Sequence, residues 1–269
     1  MIDTHCHLDF QEFDHDRDAV LQRCADNGVS RVIVPAVSAA TFGRTIDVCS
    51  RYASLDLALG LHPIFIEQHQ PQHLVELDLL ITQHDPIAVG EIGLDFFDKR
   101  LISENLKEKQ IAFFAKQLII AKQHDLPLII HNRKAHDECL QLLAAQPLRG
   151  GIIHAFNGSV QQAEKYIALG FVLGFGGMLT FDRSRKLRML AEQLPLRSIV
   201  LETDAPDMTV SQHQGQRNSP EYLYYVQQAL AEIKGCSLET VAETTSETAK
   251  RVLKLKGPSS RQAGKIISR

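Results

Sequence analysis

Two histidines separated by one residue stand near the start of this chain, a spacing that is weak evidence for a metal site when it occurs alone. They are His5 and His7, in the stretch MIDTHCHLDF. Side chains alternate between the two faces of an extended strand, so both imidazoles would point one way and Cys6 the other. Such a pair is either half of a divalent-metal site or a simple surface pair. The choice depends on whether the rest of the chain supplies further ligands.

Further side chains that can bind metal follow other apolar runs. Glu91 lies in PIAVGEIG, His131 ends LPLIIH, His154 lies in GGIIHAF and Asp204 ends RSIVLETD. His62 ends the run DLALGLH and is a candidate substrate contact or proton donor. The other seven histidines fall in predicted helices or loops, where we expect solvated side chains: His15, His69, His73, His84, His124, His136 and His213.

Apolar runs alternate with amphipathic helical patterns along the chain, as in parallel α/β folds. Eight runs are predicted to be buried strands: 1–7, 31–37, 56–62, 86–93, 126–131, 150–156, 170–177 and 197–204. Eight strand–helix units in roughly 250 residues predict an α/β protein of the (β/α)8 TIM-barrel class. A doubly wound open sheet is the alternative, but no G-x-G-x-x-G opens a helix after the first strand. We predict one domain over residues 1–256 and a polar, flexible tail over residues 257–269.

The barrel prediction brings the candidate ligands together, because the active site of a TIM barrel lies at the carboxyl ends of its strands. Six strand-end residues would meet there: His5, His7, Glu91, His131, His154 and Asp204. Four imidazoles and two carboxylates are enough for two divalent ions that share a bridging carboxylate and activate a water for hydrolysis. The alternative is a set of buried histidines bonded to backbone. This alternative explains all six residues together poorly, since each buried polar group without a partner costs about 1–3 kcal/mol of stability.

The bulk composition restricts the classes of function and location. The net charge is −3 and the pI is about 6.5, so no general excess of positive charge indicates tight binding to duplex DNA. The five cysteines are scattered and never form C-x-x-C, which favours free thiols in a reducing compartment. No uncharged run approaches the ~20 residues of a membrane helix. We therefore expect a soluble, cytoplasmic protein with no membrane association and no obligate protein partner.

Several motifs, in order from about residue 2 to residue 253, resemble the TatD family of metal-dependent hydrolases, and its YjjV-type branch in particular. They are DTHCHLD, LGLHP, VGEIGLDF, LPLIIHNR, HAFNGS, GFGGMLTF, LETDAP and GQRNSPEYL. The resemblance implies an amidohydrolase-like barrel and a magnesium-dependent deoxyribonuclease. It also implies that one metal is bound by His5, His7, Glu91 and Asp204. The second metal would then be bound by Glu91, His131 and His154.

The neighbours of these ligands have more than one possible role. Asp204 and Glu91 are the candidate catalytic residues, and Asp204 could accept a proton as the water is activated. Glu202 is either a partner of a ligand, an occasional ligand or a capped strand-end carboxylate. Arg133 could hold a phosphate bidentately or form a surface ion pair. Asp95 could orient a metal-binding histidine or the substrate, or cap a loop.

The candidate site favours a metal-dependent hydrolase, and the family resemblance implies that it is a phosphodiesterase acting on DNA, trimming single strands or ends. The first alternative is a hydrolase of a small amide, lactone or phosphoester, and the second is a metal-binding regulator without turnover. Two divalent ions are expected in either hydrolase. Imidazole ligands favour Zn or Mn over Mg, whereas the family resemblance favours Mg.

Overall fold

The computed structural model describes residues 1–255, in which eight strands alternate with helices. The strands are β1 Ile2–Asp3, β2 Arg31–Pro35, β3 Leu55–Leu59, β4 Ala88–Asp95, β5 Leu128–Arg133, β6 Gly151–Ile153, β7 Phe171–Phe175 and β8 Ile199–Leu201. The helices are α1 Arg17–Asp26, α2 Ala39–Arg51, α3 Pro71–His84, α4 Glu104–Gln123, α5 His136–Ala144, α6 Val160–Ala168, α7 Arg185–Gln193, α8 Leu223–Lys234 and α9 Leu238–Leu253. The predicted tail over residues 257–269 lies outside the described residues.

The strands form one parallel sheet in the order β1 to β8, each pairing with the next along the chain. Backbone hydrogen bonds join its two edges: Thr4 N–H donates to the Leu201 carbonyl (3.0 Å) and Asp204 N–H donates to the His5 carbonyl (2.8 Å). The sheet is therefore a nearly closed barrel surrounded by helices. The predicted (β/α)8 TIM-barrel fold is confirmed.

The interior of the barrel is filled at its amino-terminal end by one apolar side chain from every strand. These are Ile2, Ile33, Ala58, Ala88, Ile129, Ile152, Val172 and Val200, all buried. Helix α9 closes this end, because its Ala249, Val252 and Leu253 belong to the same apolar cluster. The carboxyl ends of the strands are left to carry polar side chains.

Most predicted strands are longer than the observed ones. The first was predicted over residues 1–7, but β1 contains only Ile2 and Asp3, so His5 and His7 follow the strand instead of lying in it. The chain leaves the ladder there to make contacts across the barrel edge, including a bond from His7 N–H to the Ala205 carbonyl (2.8 Å). Within residues 1–255, no helix combines the length and apolar character that a membrane crossing requires.

Candidate metal centre

Glu91 lies at the centre of the histidines at the carboxyl end of the barrel. Its side chain is buried, and its two oxygens face different imidazoles. Glu91 Oε2 lies 3.1 Å from His5 Nε2 and 3.6 Å from His7 Nε2. Glu91 Oε1 lies 3.2 Å from His131 Nδ1 and 3.1 Å from His62 Nε2. One carboxylate that faces two separate pairs of imidazoles has the geometry of a bridging ligand.

A bulge in β4 aims Glu91 at this position. The pairing of β4 with β5 shifts between Val89 and Ile92, so two residues of β4 lie against one residue of β5. Gly90 is needed at the bulge, because a Cβ there would lie 2.6 Å from the Cβ of Ile129. The Glu91 N–H is still satisfied, since it donates to the Ala36 carbonyl (3.1 Å).

Asp204 faces the same histidines from the turn after β8. Its Oδ1 lies 3.7 Å from His5 Nε2 and 3.6 Å from His7 Nε2, and its Oδ2 lies 3.5 Å from His154 Nε2. Its backbone adopts a φ of 57°, in the left-handed region that few residues other than glycine occupy. Asp204 therefore joins His154 to the N-terminal pair of histidines.

Three groups of side chains bring ligand atoms within 4.8 Å of one another: His5 with His7 and Asp204, His5 with Glu91 and His154, and His62 with Glu91 and His131. The six ligands predicted from sequence thus lie in one cluster. The predicted division of this cluster into two sites stays a prediction. His62, expected as a substrate contact, lies against Glu91 as well.

The hydrogen bonds of His62 argue against it as a ligand. Its Nδ1 accepts the Ile64 N–H (3.0 Å), so the ring proton must be on Nε2, which then donates to Glu91 Oε1. Burial lowers the pKa of His62 to about 4, so the ring is neutral at pH 7. In this state His62 has no lone pair left for a metal, and it holds Glu91 by a hydrogen bond.

His131 has the opposite arrangement, and it fits a bound cation. Its Nε2 lies 2.9 Å from Asp95 Oδ2 and donates the ring proton there. The lone pair of Nδ1 then faces Glu91 Oε1 at 3.2 Å, which is stable only with a second proton or a cation between the two atoms. His5 Nε2 and His7 Nε2 likewise face each other at 3.3 Å. Imidazole nitrogens and carboxylate oxygens in this arrangement suit divalent transition metals.

The charges of the cluster shift its pKa values strongly. Burial alone would raise the pKa of Glu91, but its contacts with His62, His5 and His131, including hydrogen bonds, outweigh burial and hold the pKa well below its ordinary value. Burial also opposes ionisation of Asp204, yet His154 and other histidines lower its pKa to about 2. The pKa of His154 is well above its ordinary value, because Glu202 and Asp204 outweigh the effect of burial. Both carboxylates are therefore ionised at neutral pH.

Two acidic residues support the candidate ligands from behind. Asp95 binds His131, and its Oδ1 also accepts the N–H groups of Phe97 (2.9 Å) and Asp98 (3.1 Å). It therefore both orients the histidine and caps the loop. Burial would raise the pKa of Asp95, but the contact with His131 outweighs it and lowers the pKa to about 2. In metal sites, a ligand histidine commonly donates its other ring N–H to such a carboxylate, which fixes the orientation of the ring.

Glu202 lies against His154 as a charge contact, without the hydrogen bond that joins Asp95 to His131. Its Oε1 accepts the Ala155 N–H (2.6 Å) and lies 3.1 Å from His154 Nδ1. Its Oε2 is buried and has no hydrogen-bond partner within residues 1–255. The residue opposite is Gly174, where any Cβ would overlap the Glu202 carboxylate. The glycine thus provides the space that this carboxylate occupies.

Above the cluster lies a cavity of about 630 Å³. Its walls are largely apolar and include Phe10, Ile64, Phe65, Phe156, Phe175, Met178, Leu187 and Met208. Arg133 also lines it, with its guanidinium 4.2 Å from the centre of the Phe97 ring and 3.6 Å from Asp95 Oδ2. Arg133 therefore reaches the mouth as predicted, where it stacks on an aromatic ring and is near a carboxylate.

Two of the seven histidines expected in solvent are buried, so that expectation is wrong for them. His69 Nε2 lies 2.9 Å from the His62 carbonyl, and its ring stacks on Phe113 of α4. His136 bonds through its two ring nitrogens to Tyr166 and to Asn157, a residue of the cavity wall. Neither belongs to the groups around Glu91. Sequence alone did not show that the loop carrying His69 and the start of α5 carrying His136 pack against the rest of the barrel.

Comparison with known proteins gives the same fold and a family. The family model described as TatD related DNase matches residues 2–254. The chain is 42% identical over 245 residues to a metal-dependent hydrolase, YjjV, of Escherichia coli (strain K12), covering 90% of this chain and 93% of that protein. It is 37% identical over 256 residues to a metal-dependent hydrolase of Haemophilus influenzae, covering 92% and 97%. The crystal structure of E. coli YjjV superposes with a TM-score of 0.89 at 39% identity, covering 95% of this chain and 98% of that one.

Proposed function

Because the chain belongs to the TatD family of metal-dependent hydrolases, we propose that it is a deoxyribonuclease that shortens single-stranded DNA from an end. The observation that carries this proposal is the placement of Glu91 between two sets of imidazoles. Such a carboxylate suits two divalent ions, and paired ions serve hydrolysis of phosphodiesters. The matching family is one of TatD-related DNases, which supports DNA as the substrate.

We propose six metal ligands: His5, His7, Glu91, His131, His154 and Asp204. Two bound divalent ions would supply a hydroxide near neutral pH and stabilise charge on the phosphate oxygens. The chain's own residues position these groups. Glu91 joins the two sets of imidazoles, and His62 fixes Glu91 through a hydrogen bond. Asp95 and Glu202 orient His131 and His154.

The remaining steps belong to residues at the cavity mouth. Asp204 is ionised and lies beside three histidines, so its free lone pairs can accept the proton of the attacking water. The Arg133 guanidinium is partly exposed and can donate two hydrogen bonds to a phosphate. The apolar wall next to it gives a base a surface to pack against. A cavity of about 630 Å³ suits a strand end better than duplex DNA.

The test is a nuclease assay on metal-stripped protein reloaded in turn with Mg, Mn and Zn. The substrate is end-labelled single-stranded DNA, and the variants are Glu91→Ala and the matched control Glu164→Ala, which removes an exposed carboxylate from α6. We expect metal-dependent shortening by the wild type and by Glu164→Ala. Loss of the bridging carboxylate should reduce the rate at least about a thousandfold. A folded, metal-loaded wild type that leaves DNA intact, while hydrolysing a small ester or amide, would refute the deoxyribonuclease.

A further inference from the structure

A strongly basic segment follows β7 at the rim of the cavity. Four cationic side chains, Arg183, Arg185, Lys186 and Arg188, stand within seven residues beside one acid, Asp182. The segment thus has a net charge of +3 in a chain whose net charge is −3. This local excess is not visible in the overall composition.

One residue of this segment lines the cavity. Met178 before it and Leu187 within it both line the cavity. Lys186 lies close enough to α5 for its charge to act on His136, the first residue of that helix, whose pKa is lowered mainly by burial. His136 in turn contacts Asn157, a residue of the cavity wall. The basic segment therefore borders the cavity above the metal centre through Leu187.

Three of the four cations are available to a ligand. Arg183, Arg185 and Lys186 are exposed, and within residues 1–255 none of them forms an ion pair. Arg183 lies over the Phe181 ring, 4.6 Å from its centre, and its side chain is exposed. Arg188 is engaged instead, because it donates to the Leu179 carbonyl (2.9 Å) and to Glu232 (3.0 Å).

Helix stability does not account for these charges. Arg185 and Lys186 occupy the first turn of α7, and that turn contains no acidic residue. Cations at a helix amino terminus oppose the helix dipole, so these two side chains do not stabilise α7. The same dipole favours an anion that lies near the basic side chains. The arrangement thus suits a negatively charged partner better than it suits the isolated helix.

We propose that Arg183, Arg185 and Lys186 bind backbone phosphates of the same single DNA strand whose end enters the cavity. This proposal rests on the proposed deoxyribonuclease activity and extends it, because it makes the substrate a polymer instead of a mononucleotide or dinucleotide. The phosphates concerned lie several nucleotides from the scissile bond. Contacts between these phosphates and the basic side chains raise the affinity for DNA and retain the strand, and they take no part in the chemistry.

The test compares a triple variant, Arg183→Gln with Arg185→Gln and Lys186→Gln, with a control that removes three exposed lysines elsewhere. The control is Lys116→Gln with Lys165→Gln and Lys250→Gln, on α4, α6 and α9. Binding of a labelled 20-nucleotide single strand is measured by fluorescence anisotropy from 50 to 300 mM salt. Turnover is measured with the same strand and with bis(p-nitrophenyl) phosphate, a diester too small to reach the segment.

Each lost phosphate contact should reduce the slope of log K against log salt by about 0.7 for a single strand. The triple variant should therefore lose about 2 units of slope and bind up to about fiftyfold more weakly near 150 mM salt. Its KM for the 20-nucleotide strand should rise, while turnover of the small diester should equal that of the wild type. The control should behave as the wild type in every measurement.

The outcomes separate this proposal from the proposed function. If the wild type shortens DNA but the triple variant keeps its salt slope and KM, the phosphate-binding segment is refuted and the deoxyribonuclease stands. An equal loss in the control would also refute the segment, because the effect would then be one of net charge. If the wild type neither binds nor shortens DNA, both proposals are wrong.

Discussion

Replacing Glu202 by Gln tests whether this carboxylate holds a metal-binding histidine. Glu202 is buried, and its Oε1 lies 3.1 Å from His154 Nδ1. Gln keeps an oxygen that can accept the Ala155 N–H, so the local backbone should stay in place. What is lost is the negative charge behind His154. Removing such a support typically weakens metal binding 10- to 100-fold, which is about 1.4–2.8 kcal/mol.

The pH dependence of this effect follows from the pKa of His154. In the metal-free protein the ring is protonated at neutral pH, because Glu202 and Asp204 outweigh its burial and raise its pKa. A metal must displace that proton, so metal binding by the wild type should tighten up to tenfold for each pH unit that the buffer rises. Without the Glu202 charge the pKa of His154 falls, and this competition weakens. The difference between variant and wild type should therefore be largest at high pH.

The assay is a competition titration of metal-stripped protein against a chromophoric chelator at pH 6, 7 and 8. Zn and Mn are used separately, and circular dichroism checks the fold. Glu164→Gln, on the exposed face of α6, is the matched control. Equal dissociation constants for Glu202→Gln and wild type at all three pH values would show that Glu202 does not support a ligand. In that case the 3.1 Å contact is only structural.

Two further predictions concern neighbouring buried positions. Gly174→Ala should displace the Glu202 carboxylate and weaken metal binding to a similar degree, and it should lower the free energy of unfolding in urea by about 1–3 kcal/mol. The control is Gly43→Ala in α2, where a Cβ meets no atom within 4 Å and neither effect is expected. Equal effects of the two substitutions would refute this role of Gly174. Burial raises the pKa of Asp3 from 3.8 to about 8, so its contribution to the stability of the metal-free fold is complete below about pH 4 and declines as the pH rises to 8, by at most about 1.4 kcal/mol per unit. Asp3→Asn should remove this dependence of the unfolding free energy on pH, measured by urea titration at pH 5 and 8. The exposed control Asp182→Asn should keep it. The same pH dependence in Asp3→Asn and wild type would refute the pKa argument.

The barrel and the convergence of the six ligands could be predicted because both depend on local pattern. Apolar runs of strand length alternate with amphipathic helices, and a closed parallel sheet brings all strand ends to one mouth. His131 and Asp204 needed no tertiary detail beyond that. The family resemblance then supplied what the pattern could not, namely the pairing of ligands and the preference for DNA.

Other features depend on contacts that the sequence pattern does not contain. The bulge that aims Glu91 requires Gly90 to lie against Ile129 of the next strand, and strand pairing has no signature in a single sequence. The burial of His69 depends on the packing of its loop against Phe113 of α4. The basic segment after β7 is visible as a charge run, but only the fold places it at the mouth of the cavity.

His62 shows why proximity alone does not define a ligand. It lies as close to Glu91 as His131 does, at 3.1 Å against 3.2 Å. The difference lies in the second ring nitrogen. In His62 that atom accepts the Ile64 N–H, which puts the proton on the side of Glu91. In His131 it donates to Asp95, which leaves a lone pair facing Glu91. Glu91 Oε1 thus meets the N–H donor of His62 and the bare nitrogen of His131, while Oε2 meets the imidazoles of His5 and His7. Hydrogen bonds among neutral groups alone cannot satisfy all four contacts. The arrangement is balanced when positive charge lies on both sides of Glu91.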